Sequence, residues 1–268
     1  MSRILLVITT YNESEYTKLC FDSLKTIEDD VDVLVIDDCS TDDTVELCKE
    51  YGHEVITKEE GLGLTDSWNK GYYEFKQRWI YDESGMDDNY DYLIIANNDI
   101  LIPQGAITEL KNTFTKWPFS LVVPTSTTNG VGHNREQSIE NHYQGMSPSC
   151  DDPNYYQEIQ DRIIDVKTQI RESNNLYQLD PKRMKMFNGF FFMMNRNIIN
   201  YEYSDKELFE PKYIMTKNED EFNWSNLIPN DDFPAVCKTS FVFHYKGVTT
   251  KGDLRNNEKW KKARFGDE

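Results

Sequence analysis

The chain predicts a mostly parallel α/β sheet, on three observations. Apolar runs rich in Val, Ile and Leu at residues 4–8, 33–36 and 93–96 end abruptly in Thr9-Thr10-Tyr11-Asn12, Asp37-Asp38-Cys39-Ser40 and Asn97-Asn98-Asp99. Short unbroken apolar runs are how strands buried on both faces read, and such strands belong to parallel sheets. Segments with helical apolar spacing separate these runs, and that alternation implies right-handed βαβ crossovers. In open sheets of this kind ligands bind outside the carboxyl ends of the strands, so the three polar ends converge on one crevice.

The elements follow in order. Ser14 is expected to cap a helix that carries Leu19, Leu24 and Ile27 toward the sheet, and Ser40-Thr41-Asp42-Asp43 a second with Val45, Leu47 and Tyr51. A short strand at 54–57 precedes Gly61-Leu62-Gly63 and a helix over 65–81. The acidic, glycine-containing stretch 82–91 reads as a loop. After the strand that ends at Asp99 come a helix from Gln104 to about Phe114 and a strand at 120–124. Residues 125–185 break the rhythm and read as an insertion, in which Ile159, Ile163, Val166 and Ile170 recur at helical spacing. That stripe is expected to pack on the chain's own core, with a homodimer contact as the alternative. The phenylalanine run at 190–192 reads as a buried strand. The expected division is 1–124, 125–185 and 186–250, with a basic tail at 251–268.

Composition narrows the class. The chain has 268 residues, 38% of them hydrophobic and 13% aromatic, which suits a globular protein with a sizeable core. No apolar run approaches the roughly 20 residues of a membrane span. Met1-Ser2-Arg3 leads straight into the first expected strand, so no signal peptide is expected, and the five cysteines are scattered without metal-site spacing. A cytoplasmic, reduced protein is expected. The net charge of −18 argues against nucleic acid as a general partner. Basic residues concentrate at Lys182-Arg183-Lys185 and between Lys246 and Arg264, either as solvated faces or as the answer to an anionic ligand.

Val-Ile-Thr-Thr-Tyr-Asn, then Val-Ile-Asp-Asp-Cys-Ser-Thr-Asp-Asp-Thr, then Asn-Asn-Asp resembles the family-two glycosyltransferases of the GT-A fold. Later blocks, Phe-Asn-Gly-Phe-Phe-Phe-Met, Asn-Glu-Asp-Glu-Phe and Phe-His-Tyr-Lys-Gly-Val-Thr-Thr, are similar to that family's distal motifs. The resemblance implies a Rossmann-like, mostly parallel central sheet flanked by helices, with an acceptor-side insertion. It implies a nucleotide-diphosphate sugar carried on UDP, dTDP or GDP, an inverting transfer, and a glycan, lipid-linked or small-molecule acceptor. Thr9, Tyr11 and Asn12 would then meet the base and ribose. Asp38 would accept a hydrogen bond from the base, with Asp37 as its alternative; a carboxylate suits the imide N–H of uracil or thymine and also the guanine edge. Asn69 and Gly71 match the small-residue stretch that follows.

Asn97-Asn98-Asp99 stands where the family carries its Asp-x-Asp motif, with the first acid replaced by an amide. Asp99 is the expected ligand of Mn2+ or Mg2+, His244 its partner, and Asn97 and Asn98 the nucleotide contacts; such cations take carboxylates and substrate phosphates. Asp220 aligns with the family's base, and Glu219 and Glu221 are its neighbours. Asn188 and Gly189 would floor the sugar and acceptor site. Tyr143, Tyr155, Tyr156 and Tyr177 of the insertion either stack on sugars or pack half-buried. Two other readings compete. A nucleotidyltransferase would show a glycine-rich, basic phosphate loop, which Thr9–Glu15 is not, and a non-catalytic relative would not need Asp99, Asp220 and His244 together. A Gly-x-Gly-x-x-Gly dinucleotide motif is missing after the first strand.

Overall fold

The computed structural model describes residues 2–80, 90–131, 135–146, 155–184, 187–196, 208–209, 234–246 and 248. A single large sheet organises them. Its strands run β1 (Ile4–Thr10), β2 (Val31–Asp37), β3 (Glu54–Thr57), β4 (Tyr92–Asn97), β6 (Leu121–Thr125), β7 (Lys182–Arg183), β8 (Phe191–Asn195) and β9 (Ala235–Phe241). The spatial order is β3-β2-β1-β4-β8-β6-β9-β7, and a second, two-stranded ladder pairs β5 (Ile100–Leu101) with β10 (Phe243–His244). The pairs β3–β2, β2–β1, β1–β4 and β6–β9 are parallel, whereas β8 runs antiparallel to both β4 and β6, and β7 to β9.

Every residue of β1 is buried, as a central parallel strand requires. One side of the sheet packs Ile4, Leu6 and Ile8 with Cys20 and Phe21 of α1 (Ser14–Leu24), Cys48 of α2 (Thr44–Glu50), and Ile107 and Leu110 of α4 (Ala106–Lys116). The other packs Leu5 and Val7 with Trp68, Tyr72 and Phe75 of α3 (Leu64–Ile80). The alternation between the two clusters is the period of two expected of a strand. Gly71 lets α3 lie close against β1: a Cβ there would sit 2.5 Å from Val7 Cγ1.

The start of the first helix differs from expectation, whereas the second is capped from within the expected Ser40–Asp43 segment. Ser14 is already helical, and the residue before it, Glu13, sits at a left-handed φ of 65° with no side-chain cap. Asp42 serves both helices instead, since its Oδ2 accepts the Ser14 N–H at 3.2 Å and its Oδ1 the Thr44 N–H at 3.0 Å. A carboxylate meets the exposed N–H groups and the positive pole of a helix start at once, so one acid can replace two hydroxyl caps.

The short helix α5 (Thr128–Val131) follows β6, and α6 (Tyr156–Glu172) carries the predicted stripe. Ile159 and Ile163 are buried and Val166 partly so, against Leu101, Ile139, Tyr143, Met146, Phe241 and Phe243 of the same chain. Gln160 pins the helix to β9 where the β6–β9 register shifts after Pro124. Its amide donates to Thr239 O at 2.9 Å and accepts the Phe241 N–H at 2.8 Å. A buried ion pair, Lys167 with Glu109, and the Thr239 hydroxyl on Glu109 Oε2 at 2.5 Å tie α6 to α4 and β9. Of the insertion's tyrosines, Tyr143 is buried and Tyr156 packs on this cluster, while Tyr155 and Tyr177 are exposed.

Gly71→Ala is expected to lower unfolding stability by roughly 1 kcal/mol or more. Overpacking costs about 1–3 kcal/mol, and the helix-propensity gain of about 1 kcal/mol offsets only part of it. Urea denaturation followed by far-UV circular dichroism measures this; an unchanged midpoint would mean that Val7 yields freely.

Candidate active site

The strand register assembles the crevice. Thr9 lies opposite Asn97 on β4, and Thr10 opposite Asp37 on β2. Both threonine hydroxyls fasten β1 to its neighbours: Thr9 donates to Ala96 O at 3.2 Å and Thr10 to Asp37 Oδ1 at 3.2 Å. Beyond β1, Asn12 turns at a left-handed φ of 54°. Its side-chain oxygen accepts the Thr41 N–H at 2.7 Å, and its own N–H donates to the Ser40 hydroxyl at 2.7 Å. Asn12 therefore joins the first two loops. Tyr11, beside it, is half-buried.

The consecutive acids Asp37 and Asp38 have separate surroundings. Asp37 is fully buried, and its Oδ2 accepts the Ser40 N–H at 3.1 Å, which closes the turn after β2. Cys39 within that turn has φ 65°, and its thiol donates to Lys58 O at 3.1 Å. Asp38 faces the loop before α3, taking the N–H groups of Leu62 at 3.0 Å and Gly63 at 2.9 Å. Lys58 Nζ lies 2.6 Å from Asp38 Oδ1 and 2.6 Å from Asp66 Oδ2, its side chain only 7% accessible. Burial pushes the Asp38 carboxyl above its ordinary value even with this ammonium and two N–H groups beside it.

At the end of β4 the three polar residues diverge. Asn98 turns into the protein, its amide donating to Thr17 Oγ1 at 2.9 Å and Asn12 O at 3.4 Å. The Asn97 N–H bonds Phe190 O at 2.9 Å, while its side-chain oxygen is buried with no hydrogen-bond partner among the described residues. Asp99 meets His244 across the small ladder, which pairs Ile100 with His244, and Nε2 of the imidazole is 3.3 Å from Asp99 Oδ1. The Tyr245 N–H donates to Asp99 O at 3.0 Å. Burial alone would raise the Asp99 carboxyl, but the adjacent His244, helped by the N–H groups of Asp99 and Val248, holds it below the ordinary carboxylate range. Phe190 stacks on the imidazole with ring centroids 4.7 Å apart and planes 13° from parallel.

The structure thus brings Asp99 and His244 together and sets Asn97 and the Asn188–Phe190 segment beside them. Other expected contacts are engaged within the chain. Asn69 clasps the backbone of Phe209, donating to its O at 2.9 Å and accepting its N–H at 2.8 Å. Asn188 donates from its side chain to Val131 O and from its backbone to Gln137 Oε1 at 2.5 Å, and Gly189 is buried next to it. Lys182 pairs with Glu136, and Arg183 lies over the Phe119 ring, so these two cations have partners within the chain. Glu219, Asp220 and Glu221 lie outside the described residues, as do Lys185 and the basic tail. Sequence reasoning passed over Lys58, Gln137 and the stacking role of Phe190. For Lys58 a signal existed, a lone cation directly after β3 in an acidic chain.

A carboxylate and an imidazole at the carboxyl edge, beside a buried amide oxygen lacking a donor, form a donor set that suits a divalent cation sharing oxygen ligands with a phosphate. Among the described residues no group of three or more His, Cys, Asp or Glu could hold a metal alone. No described helix is long and apolar enough to cross a membrane.

The mixed sheet with its crevice at three parallel strand ends is the GT-A transferase fold. A model of the family described as glycosyl transferase family 2 matches residues 5–201. The chain belongs to that family. No curated protein matches it. Among solved structures, it is similar to the mannosyltransferase PcManGT from Pyrobaculum calidifontis in complex with GDP-Man and Mn2+, at 13% identity and a TM-score of 0.55, over 95% of this chain and 60% of that one. S. aureus TarS 1-349 in complex with UDP-GlcNAc aligns at 14% identity and a TM-score of 0.53, over 90% of this chain and 58% of that one. GalNAc-T7 with UDP, GalNAc and Mn2+ aligns at 14% identity and a TM-score of 0.60, over 91% of this chain and 44% of that one. The chain therefore spans 44% to 60% of the length of these three structures.

The packing predicts an order of thiol reactivity. Cys20, Cys48 and Cys237 are buried, with thiols pushed up by desolvation, that of Cys48 to about 12, whereas Cys39 is partly exposed. Iodoacetamide at pH 8 is expected to label Cys39 first of these four, read by peptide mass mapping. Equal labelling of Cys20 would contradict its burial between α1 and the sheet.

Proposed function

We propose that the chain transfers a sugar from a nucleoside-diphosphate donor to an acceptor hydroxyl with inversion, in the assembly of a glycan. The observation that carries the reading is the Asp99–His244 pair at 3.3 Å, at the carboxyl edge of the sheet beside the unpaired Asn97 oxygen. Asp99 and His244 would hold Mn2+ or Mg2+ together with the donor's diphosphate. Mn2+ accompanies both PcManGT and GalNAc-T7, which supports the first. When bound, the cation supplies Lewis-acid stabilisation of the negative charge on the departing diphosphate. With two side-chain ligands from the chain, the cation is expected to bind mainly with nucleotide present.

The chain's own residues do the remaining work. Asp38 and the Asn12 turn would orient the nucleoside at the ends of β1 and β2. A base near the acceptor takes the hydroxyl proton as the acceptor oxygen attacks the anomeric carbon. The bond from that carbon to the diphosphate oxygen breaks, its electron pair leaves with the nucleoside diphosphate, and the sugar inverts through an oxocarbenium-like transition state. Asp220 is our candidate base and Glu219 its neighbour, from the resemblance stated above. The acceptor is a glycan, a lipid-linked sugar or a small molecule, and the 125–185 segment is the candidate surface for it. Lys246, exposed at a left-handed φ of 56° two residues after His244, would add a cation near the donor's diphosphate.

Two variants test this. Asp99→Ala is expected to abolish the Mn2+-dependent rise in melting temperature produced by the cognate nucleoside diphosphate, since binding raises apparent stability by mass action. An undiminished metal-dependent shift in that variant would sink the metal assignment. Asp220→Asn is expected to cut transfer by two or more orders of magnitude, about the contribution of a general base, while donor affinity stays within a few-fold. Near-normal turnover would move the role to Glu219 or elsewhere.

A further inference from the structure

We infer that Asp38, paired with Lys58, recognises a base that offers one N–H donor, so that the carrier is a uracil or thymine nucleoside diphosphate rather than a guanine one. This rests on the donor-site reading above and sharpens it, because a carboxylate at this position would otherwise suit either kind of base.

The argument is a count of lone pairs. An ionised carboxylate has about four lone-pair sites. At Asp38 three are occupied. Oδ1 takes Lys58 Nζ at 2.6 Å and the Leu62 N–H at 3.0 Å, and Oδ2 takes the Gly63 N–H at 2.9 Å. One site on Oδ2 remains, and the Asp38 side chain keeps 13% of its surface accessible. The ammonium is filled in its turn. Its three N–H groups have three acceptors, Asp38 Oδ1, Asp66 Oδ2 at 2.6 Å and Gly63 O at 3.4 Å. Lys58 therefore offers nothing to a ligand directly. It takes up the acceptor site that a second ligand donor would need.

The carboxylate is held by its three contacts with Lys58, Leu62 and Gly63. A Cβ on Gly61 would lie 3.3 Å from Asp38 O and 3.9 Å from Oδ1, so the glycine loop rests against the residue. These contacts leave a fixed acceptor with one open site. The imide of uracil or thymine matches it, with a single N–H between two carbonyls. Guanine brings an N–H and an adjacent amino group on one edge, and one of these donors would be buried without a partner. Cytosine places a ring acceptor where the imide has its donor, and two acceptors repel. Lys58 is thus a specificity-determining residue acting through Asp38.

Isothermal titration of the full chain with UDP, dTDP, GDP and CDP, each with Mn2+, tests the inference on the wild type and on Lys58→Met and Lys58→Arg. The wild type is expected to bind UDP or dTDP at least about tenfold more tightly than GDP, the size of effect that one unsatisfied buried donor produces. CDP should be weaker still. Lys58→Met opens the second acceptor site and should bring the UDP-to-GDP ratio toward one, whereas Lys58→Arg should keep the preference. GDP binding as tightly as UDP in the wild type would overturn the inference and leave the donor-site reading standing. An unchanged ratio in a folded Lys58→Met variant would remove Lys58 from it. If that variant does not fold, by circular dichroism, the wild-type series decides alone. Binding of none of the four would overturn the donor-site reading and this inference with it.

Discussion

The crevice depends on a ladder of two residue pairs. When β10 returns beside β5, Ile100 is placed opposite His244, and the imidazole comes within 3.3 Å of the Asp99 carboxylate. A carboxylate that is only 5% exposed is costly to bury, and it stays ionised only where attraction and hydrogen bonds outweigh its lost hydration. Here the imidazole and two N–H groups supply that balance. The same contacts aim the Asp99 oxygens toward His244. The imidazole is itself fixed by the face of Phe190, whose carbonyl receives the Asn97 N–H. Asn97, Asp99, Phe190 and His244 are thus locked by one short pairing, and displacing any of them would loosen the rest.

A second constraint operates on the opposite side of β1. Asp37 and Asp38 are chemically identical neighbours with opposite duties, because Asp37 ends β2 and Asp38 begins the loop after it. Asp37 turns inward and closes its own loop, whereas Asp38 reaches the loop that opens α3. That loop is bound through Lys58 to Asp66 inside the helix, and the helix is drawn against β1 by the lack of a side chain at Gly71. The position of the carboxylate is therefore set by core packing as much as by local turn geometry. Buried ion pairs add little net stability, but they fix geometry where breaking one partner is costly. Lys58 with Asp38 and Lys167 with Glu109 are both such fixtures, one beside the crevice and one under α6.

Much of this was legible in the sequence, because buried parallel strands announce themselves as unbroken apolar runs with polar ends. The runs at 4–8, 33–36 and 93–96 lie in β1, β2 and β4, and the stripe of Ile159, Ile163 and Val166 packs on the chain's own core. The meeting of Asp99 with His244 follows from motif order, which carries long-range information that periodicity does not. The division of labour among adjacent polar residues was less legible. Nothing in Asn97-Asn98-Asp99 says that the middle amide turns to Thr17 and the first keeps an unpaired oxygen. Asn69 reads as a nucleotide contact, yet its amide matches both backbone hydrogen-bonding groups of one residue, Phe209. The cap expected from Ser14 comes from Asp42, a residue of the next loop. In each case the deciding partner is far away in the chain, so local chemistry could name the group but not its destination.

The distribution of unpaired polar atoms leads further. Buried polar groups in folded proteins are nearly always satisfied, so an exception calls for an explanation. At the crevice the amides of Asn12, Asn98 and Asn188 are tied to the protein, and the threonines of β1 to adjacent strands. Against that background, among the described residues, the Asn97 oxygen and the last lone pair on Asp38 retain capacity. They stand at the ends of strands on either side of β1, within a chain that is acidic overall. A ligand spanning them needs donors at one end and tolerance of acceptors at the other. A nucleoside with an N–H on its base and hydroxyls on its ribose meets the first need, and a cation shared with its phosphates the second. Acidic walls that would repel a free diphosphate would suit one that arrives with its cation, and nucleotide and metal binding would then be coupled in part through charge.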